Sequence, residues 1–415
     1  MKGLKVTDIN IGRSFCALAG LALLGLFLQG CMTLQVRHPL PEHLLEQAQI
    51  KDLPGIRAWG NVDSESFEQS ALESVKQEQA ANNGKLLPEM NILALSGGGG
   101  DGAFGAGLLC GWTESRTRPV FKLVTGISTG ALIAPFAFLG PAYDAKLKEV
   151  YTTISDKSIY VIPNLFKLMV NLARIEAITS TRPLVELLEQ LIDENMLQAI
   201  ALEHQKGRRL FIGTTQLDAQ RQVIWNMGVI AASGHPDALE LFRRILQASV
   251  SIPVVFPPVY IKVEAGGRQY DEMHVDGGVN AQIILSEDAI KLFSTRKELG
   301  FQIPPRQRKL YIIRNAQVFP EYESIKPSLF AIGPRAITSL TKYQGVGDLY
   351  RLYVLARRFK IDYNLAFVPE DFRPIRKSEF DTQYMNDKFD LAYKLARSGY
   401  HWSKYPPGFE PETHN

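Results

Sequence analysis

The stretch Ile92-Leu93-Ala94-Leu95, Ser96-Gly97-Gly98-Gly99-Gly100-Asp101-Gly102, then Ala103 to Thr113, Lys122 to Thr125 and Gly126-Ile127-Ser128-Thr129-Gly130 decides the fold. It predicts a strand, a glycine loop, a helix of small residues, a second strand and a serine in a sharp turn. Strands and helices alternating at this short spacing predict an α/β fold: a mostly parallel sheet with helices on both faces, three layers in all. The glycine loop bares its N–H groups, and a helix begins directly behind it, so it can face an anion. Ser128 stands between two glycines where a strand becomes a helix, the setting of an exposed nucleophile.

Outward from this stretch, composition narrows the possibilities. The chain has 415 residues, 46% of them hydrophobic and 21% charged, which is ordinary for a globular protein. A formal net charge of +3 gives no ground for a nucleic-acid partner. The short cationic run Lys206-Gly207-Arg208-Arg209 reads as a solvated loop. Of three cysteines, Cys16 and Cys31 belong to the N-terminal apolar region. That leaves Cys110, a buried small hydrophobe among Gly107, Leu108 and Leu109. The fold therefore rests on burial and not on crosslinks. No Cys/His cluster has metal spacing, and neither a metal nor another cofactor is expected.

Toward the N-terminus, Lys2, Lys5 and Arg13 precede an apolar stretch, Ser14 to Leu28, shorter than a membrane-spanning helix needs. It ends in Leu28-Gln29-Gly30-Cys31, which resembles a bacterial lipobox. The resemblance implies a signal peptide over 1–30 and lipidation at Cys31. An uncleaved anchor is the competing reading, and both place the chain at a membrane. Met32 follows the cysteine where enterobacterial lipoproteins kept in the inner membrane carry Asp, so the outer membrane is the expected location. Residues 31–90 read as a tether with one amphipathic helix, Ser64 to Ala81.

Toward the C-terminus, Ala131 to Leu139 reads as a buried helix. Asn164 to Ile175 is apolar, a core helix or a lipid-facing flap. Leu184 to Ile200 is predicted as one helix starting behind the cap Ser180-Thr181-Arg182-Pro183. Arg209 to Leu217 and Gln222 to Met227 predict a hairpin, and Pro236 to Ser249 a helix. Ser251-Ile252-Pro253-Val254-Val255-Phe256-Pro257-Pro258 is too rich in proline for a central strand and should form a fixed wall, one side of an acyl pocket. Tyr260 to Val263 and Tyr270 to Val275 are predicted strands, the second ending at Asp276-Gly277-Gly278. Residues 287–415 offer a strand at Lys309 to Arg314, helices at Tyr350 to Phe359 and Ser378 to Ser398, and a strand-like run at Ile361 to Phe367. They are expected to pack on the core as an extension.

A G-x-S-x-G pentapeptide alone is common by chance. Five glycines in one loop are harder to dismiss, since each forfeits about 0.5–1 kcal/mol relative to alanine. A phosphate loop would need a Gly-Lys-Ser/Thr ending, and a dinucleotide fingerprint would leave the serine unexplained. Serine needs a base. Asp276 at a strand end is one candidate; His274 and His401 are others, in a Ser–Asp–His order.

Taken in order, the loop Gly97 to Gly102, the elbow Gly126 to Gly130 and the triplet Asp276-Gly277-Gly278 resemble the patatin-like phospholipase family, over about Asn91 to Ser286. The resemblance implies a patatin-like fold with a catalytic core over 91–286. It also implies a lipid acyl hydrolase, of phospholipase A or lysophospholipase type, that works without a metal. Ser128 would be the nucleophile, Asp276 the base, and the loop glycines Gly97, Gly98, Gly99, Gly100 and Gly102 the oxyanion hole, chiefly through the N–H groups of Gly98, Gly99 and Gly100. The implied partners are a membrane lipid or lysolipid as substrate and the membrane itself through the anchor. One position departs from the pattern. Relatives carry Arg or Lys before the last glycine of the loop, and here Asp101 stands. Pointing inward it would oppose an oxyanion; pointing outward it would cap the following helix, which is the expectation. A lipid-anchored scaffold without turnover is the non-enzymatic alternative.

Overall fold

The computed structural model describes residues 37–162, 176–285 and 306–409. The leader, Cys31 and the flap expected over 164–175 lie outside them. Among the described residues no helix is long and apolar enough to cross a membrane.

Nine strands form one sheet: β1 (Arg57–Trp59), β2 (Glu89–Leu95), β3 (Leu123–Ile127), β4 (Arg209–Gln216), β5 (Arg221–Asn226), β6 (Val259–Ala265), β7 (Arg268–Asp276), β8 (Gln307–Arg314) and β9 (Asp362–Phe367). Their order is β1-β5-β4-β3-β2-β8-β9, with β7 pairing β4 and β6 pairing β7. The centre, from β4 through β3, β2 and β8 to β9, is parallel. β5 returns against β4 as the expected hairpin, and β6 and β7 form a second. Side chains alternate across the sheet. Leu93 and Leu95 enter one core, and Ile92 and Ala94 the other.

Helices cover both faces. They are α1 (Glu65–Ala81), α2 (Gly102–Glu114), α3 (Thr129–Leu139), α4 (Asp144–Thr153), α5 (Arg182–Leu191), α6 (Ala238–Ser249), α7 (Leu329–Arg358) and α8 (Thr382–Arg397). α1 and α7 share a core on one side, through Phe67 and Val75 of the first and Leu349 and Leu352 of the second. α2, α3 and α8 share the other. The result is the three-layer α/β/α arrangement with a mostly parallel sheet.

Three expectations change. The helix expected over Leu184 to Ile200 breaks at Ile192, because the Asp193 carboxylate accepts from the Met196 N–H at 2.8 Å and caps a new helix. α7 runs 30 residues instead of starting near Tyr350. Residues after 306 are more than an extension. β8 lies parallel beside β2 and β9 beside β8, so the tail supplies two strands of the central sheet. Its last helix, α8, lies on α2 at Gly107 and Gly111. A β-carbon at either glycine would stand 2.2 Å from the carbonyl oxygen of Phe389 or Tyr393. The backbones of the two helices therefore touch.

Candidate active site

The site sits at the C-terminal ends of the parallel strands, where the loops of an open α/β sheet converge. β3 ends at Ser128, which has φ 53° and ψ −127°. This left-handed conformation costs about 1–3 kcal/mol in a residue other than glycine and aims the side chain out of the turn. The flanking glycines allow the turn to close. A β-carbon at Gly126 would lie 2.4 Å from the Gly130 carbonyl oxygen, and one at Gly130 would lie 2.5 Å from that of Leu95. The Ser128 N–H donates to Ser249 Oγ at 3.0 Å, and that hydroxyl donates to the Gly213 carbonyl at 2.7 Å, tying the turn to the end of α6 and to β4.

Asp276 ends β7 opposite Thr214 of β4 and is 5% exposed. The Ser128 side chain stands beside its carboxylate and favours the ionised form, as a hydrogen-bond donor would. Oδ1 accepts the Gly278 N–H at 2.7 Å. Burial pushes the Asp276 pKa up to about 6, against the two hydrogen bonds, which favour the ionised form. A carboxylate held this way takes a proton near neutral pH more readily than an exposed one.

The glycine loop lies over this pair. Asn315, at the end of β8, staples it: its side chain donates to the Ser96 carbonyl at 2.9 Å and accepts the Gly105 N–H at 3.0 Å. Arg314 donates to the Gly97 carbonyl at 3.2 Å. The five glycines expected to form the hole divide. The Gly97 N–H donates to the Gln282 carbonyl at 3.2 Å, and the Gly102 N–H to carbonyls of Gly99 and Gly100. Those two shape the loop and have no free donor. Among the described residues no hydrogen-bond partner takes the N–H of Gly98 or Gly99. The Gly100 N–H points at Glu379 Oε1, 3.4 Å away, so a carboxylate of the tail stands against the loop. Desolvation against the loop raises the Glu379 pKa. Arg376 opposes the shift and Asp101 adds to it.

Asp101 occupies the N-cap position of α2 yet makes no capping hydrogen bond, contrary to expectation. Its carboxylate turns to α8, where Lys388 Nζ lies at 2.5 Å and the Tyr384 hydroxyl at 3.1 Å. Burial works against ionisation there, but Lys388 and Arg376 hold the Asp101 pKa below the usual carboxylate range.

A cleft opens from Ser128 and Gly99 between α3, α4 and α5. Its walls are apolar, with Leu132, Phe136, Ile159, Leu184, Leu188 and Leu246 among them. Ile252 and Phe256 of the proline-rich segment stand in the wall, as expected.

The two histidines fall elsewhere. His274 is fully buried, with Nδ1 2.9 Å from Thr214 Oγ1 and Nε2 3.1 Å from Glu272. Burial lowers its pKa despite the neighbouring Glu272. It belongs to an ion cluster with Arg57. His401 is exposed. Among the described residues no group of three or more His, Cys, Asp or Glu could hold a metal ion.

Sequence reasoning missed Ser249, Asn315, Glu379 and Lys388, which reach the site from distant elements. Only Asn315 left a signal, since Arg314-Asn315 places polar side chains right after the apolar run of β8.

A family model described as patatin-like phospholipase matches residues 93–287. No curated protein matches. Among matching solved structures is the crystal structure of VipD from Legionella pneumophila. It is 12% identical, with 75% of this chain and 67% of that chain covered, at a TM-score of 0.33.

Proposed function

We propose that this chain, which belongs to the patatin-like phospholipase family through residues 93–287, hydrolyses acyl esters of membrane phospholipids or lysophospholipids with a Ser128–Asp276 dyad. The family supports lipid acyl hydrolysis in general. The single observation that carries the finer reading is the Ser128 side chain set beside the buried Asp276 carboxylate, at the head of an apolar cleft and beneath two unengaged amides.

In this reading an acyl chain lies along Leu132, Leu184 and Leu188, which puts the ester carbonyl beside Ser128. The serine oxygen bonds to the carbonyl carbon as Asp276 takes its proton. The carbonyl oxygen, now negative, receives the N–H groups of Gly98 and Gly99, and that of Gly100 once Glu379 swings away. Each such donor contributes about 3–4 kcal/mol to the transition state in other hydrolases. The leaving alcohol collects the proton from Asp276. Water then attacks the acyl-serine with Asp276 as base again, and the fatty acid leaves. Lipidation at Cys31 would hold the enzyme on the envelope beside its substrate.

Lipid mass spectrometry on liposomes of defined composition tests this. Wild type should release fatty acid and Ser128→Ala should release none. A wild type that releases nothing, and that a fluorophosphonate fails to label, supports the scaffold alternative.

A further inference from the structure

We propose that Lys388 is a positioning residue for the oxyanion loop: paired with Asp101, it cancels the charge of an acidic residue that would otherwise stand against the hole. The proposal rests on the hydrolase reading above.

Asp101 adjoins Gly100 in the loop that faces Ser128. At that range a lone carboxylate opposes a developing oxyanion by about 30–100-fold in rate. The structure answers from the far end of the chain. Tyr384 and Lys388 are one turn apart on α8, so they share a face. Both reach Asp101 Oδ1, at 3.1 and 2.5 Å, and Lys388 Nζ is 2.6 Å from the Tyr384 hydroxyl. Lys388 is 1% exposed, with its ammonium over the rings of Tyr384 and Phe372. Arg376 adds a second cation 3.8 Å from Asp101. A buried ion pair adds little to stability over a well-packed apolar pair. Its place on the glycine loop therefore points to the loop's charge as its role.

The experiment uses the full chain. Fluorophosphonate labelling of Ser128 counts competent sites, p-nitrophenyl butyrate hydrolysis gives kcat and KM per labelled serine, and thermal unfolding reports folding. Lys388→Met should lower kcat per labelled serine about 30–100-fold with KM within about twofold. Asp101→Asn added to Lys388→Met should return kcat to within about threefold of wild type. Should Lys388→Met not fold, Lys388→Gln takes its place, since its amide can still hydrogen-bond Asp101: it should lower kcat per labelled serine about tenfold or more, while Lys388→Arg, whose guanidinium keeps the charge, stays within about threefold of wild type. A pair that serves stability alone would lower the melting temperature and the number of labelled serines with kcat per labelled serine unchanged, and that result overturns the proposal. Equal kcat in Lys388→Gln and Lys388→Arg overturns it as well. A wild type that neither labels nor hydrolyses overturns the hydrolase reading and this proposal with it, and the missing label separates that failure from the others.

Discussion

Ser128 and Asp276 stand side by side, close enough for the serine to favour the ionised carboxylate, although β3 and β7 bring the two from distant parts of the sequence. They pair consecutive parts of one edge of β4, β3 at Arg209–Gly213 and β7 at Thr214–Gln216, while β5 takes the other edge, so the ends of the two strands meet. Among the described residues no histidine is hydrogen-bonded to either side chain.

Substitutions at the pair should therefore separate from substitutions at the histidines. Ser128→Ala and Asp276→Asn should each lower kcat by about three orders of magnitude or more in fatty-acid release from lysophospholipid. His401→Ala should keep wild-type kcat. His274→Ala should lower the melting temperature, since it vacates a buried polar cluster, yet leave kcat per labelled serine within about threefold. A dead His401→Ala would bring back the three-residue alternative.

The pH profile follows from the buried base. Asp276 works as a carboxylate and titrates at about 6. kcat/KM on a neutral ester should rise tenfold per pH unit below that value and level off above it. The stability effect has the opposite sign. The folded pKa lies above that of the unfolded chain, so the group favours folding fully below the unfolded value, and this contribution is lost as pH rises through about 6. Asp276→Asn should therefore raise the melting temperature at pH 8 by about 2–5 °C while abolishing turnover. A flat rate profile down to pH 5 would contradict the assignment of the base.

Glu379 Oε1 stands 3.4 Å from the Gly100 N–H, which the ester oxygen would take in the proposed mechanism. Glu379→Ala should free the Gly100 N–H and raise kcat/KM on a soluble short-chain ester about two- to tenfold. The measurement is steady-state kinetics of the variant beside wild type on the same ester. An unchanged or lower kcat/KM would mean that the carboxylate does not obstruct the hole.

The cleft should measure chain length. Leu188→Trp fills its far part, so activity on long-chain esters should fall relative to butyrate by about tenfold or more, one buried methylene being worth about 0.8 kcal/mol. Competition between butyrate and palmitate esters reads this directly. Parallel losses on both esters would place the acyl chain elsewhere.

What the sequence made legible was local. The loop, the elbow and the Asp276 triplet each lie within a few residues, and their glycines are needed where backbones touch, as at Gly126 and Gly130. The alternation of β2, α2, β3 and α3 followed from hydrophobic pattern, and so did the three layers. The supporting shell was illegible because its members are ordinary residue types whose value comes from tertiary position. Ser249 reads as a helix end, Lys388 as a charge on an amphipathic helix and Glu379 as part of a polar loop. α7 was hidden for another reason. Gly333, Pro334, Gly345 and Gly347 read as helix breakers, yet the helix passes through all four. The divided helix at Ile192 shows the converse, one aspartate cap outweighing an unbroken apolar period.

The pairing of β8 with β2 bears on how this protein can be dissected. A fragment cut to the recognisable half, residues 93–287, would cut β2 short at Leu93 and leave what remains of it a bare edge of unpaired N–H and C=O groups, an invitation to intermolecular strand addition. It would also strip α8 from the glycine face of α2 and uncover apolar surface there. The unit that can be expressed, crystallised or grafted is therefore set by the sheet and not by the family signature, and it extends at least through α8.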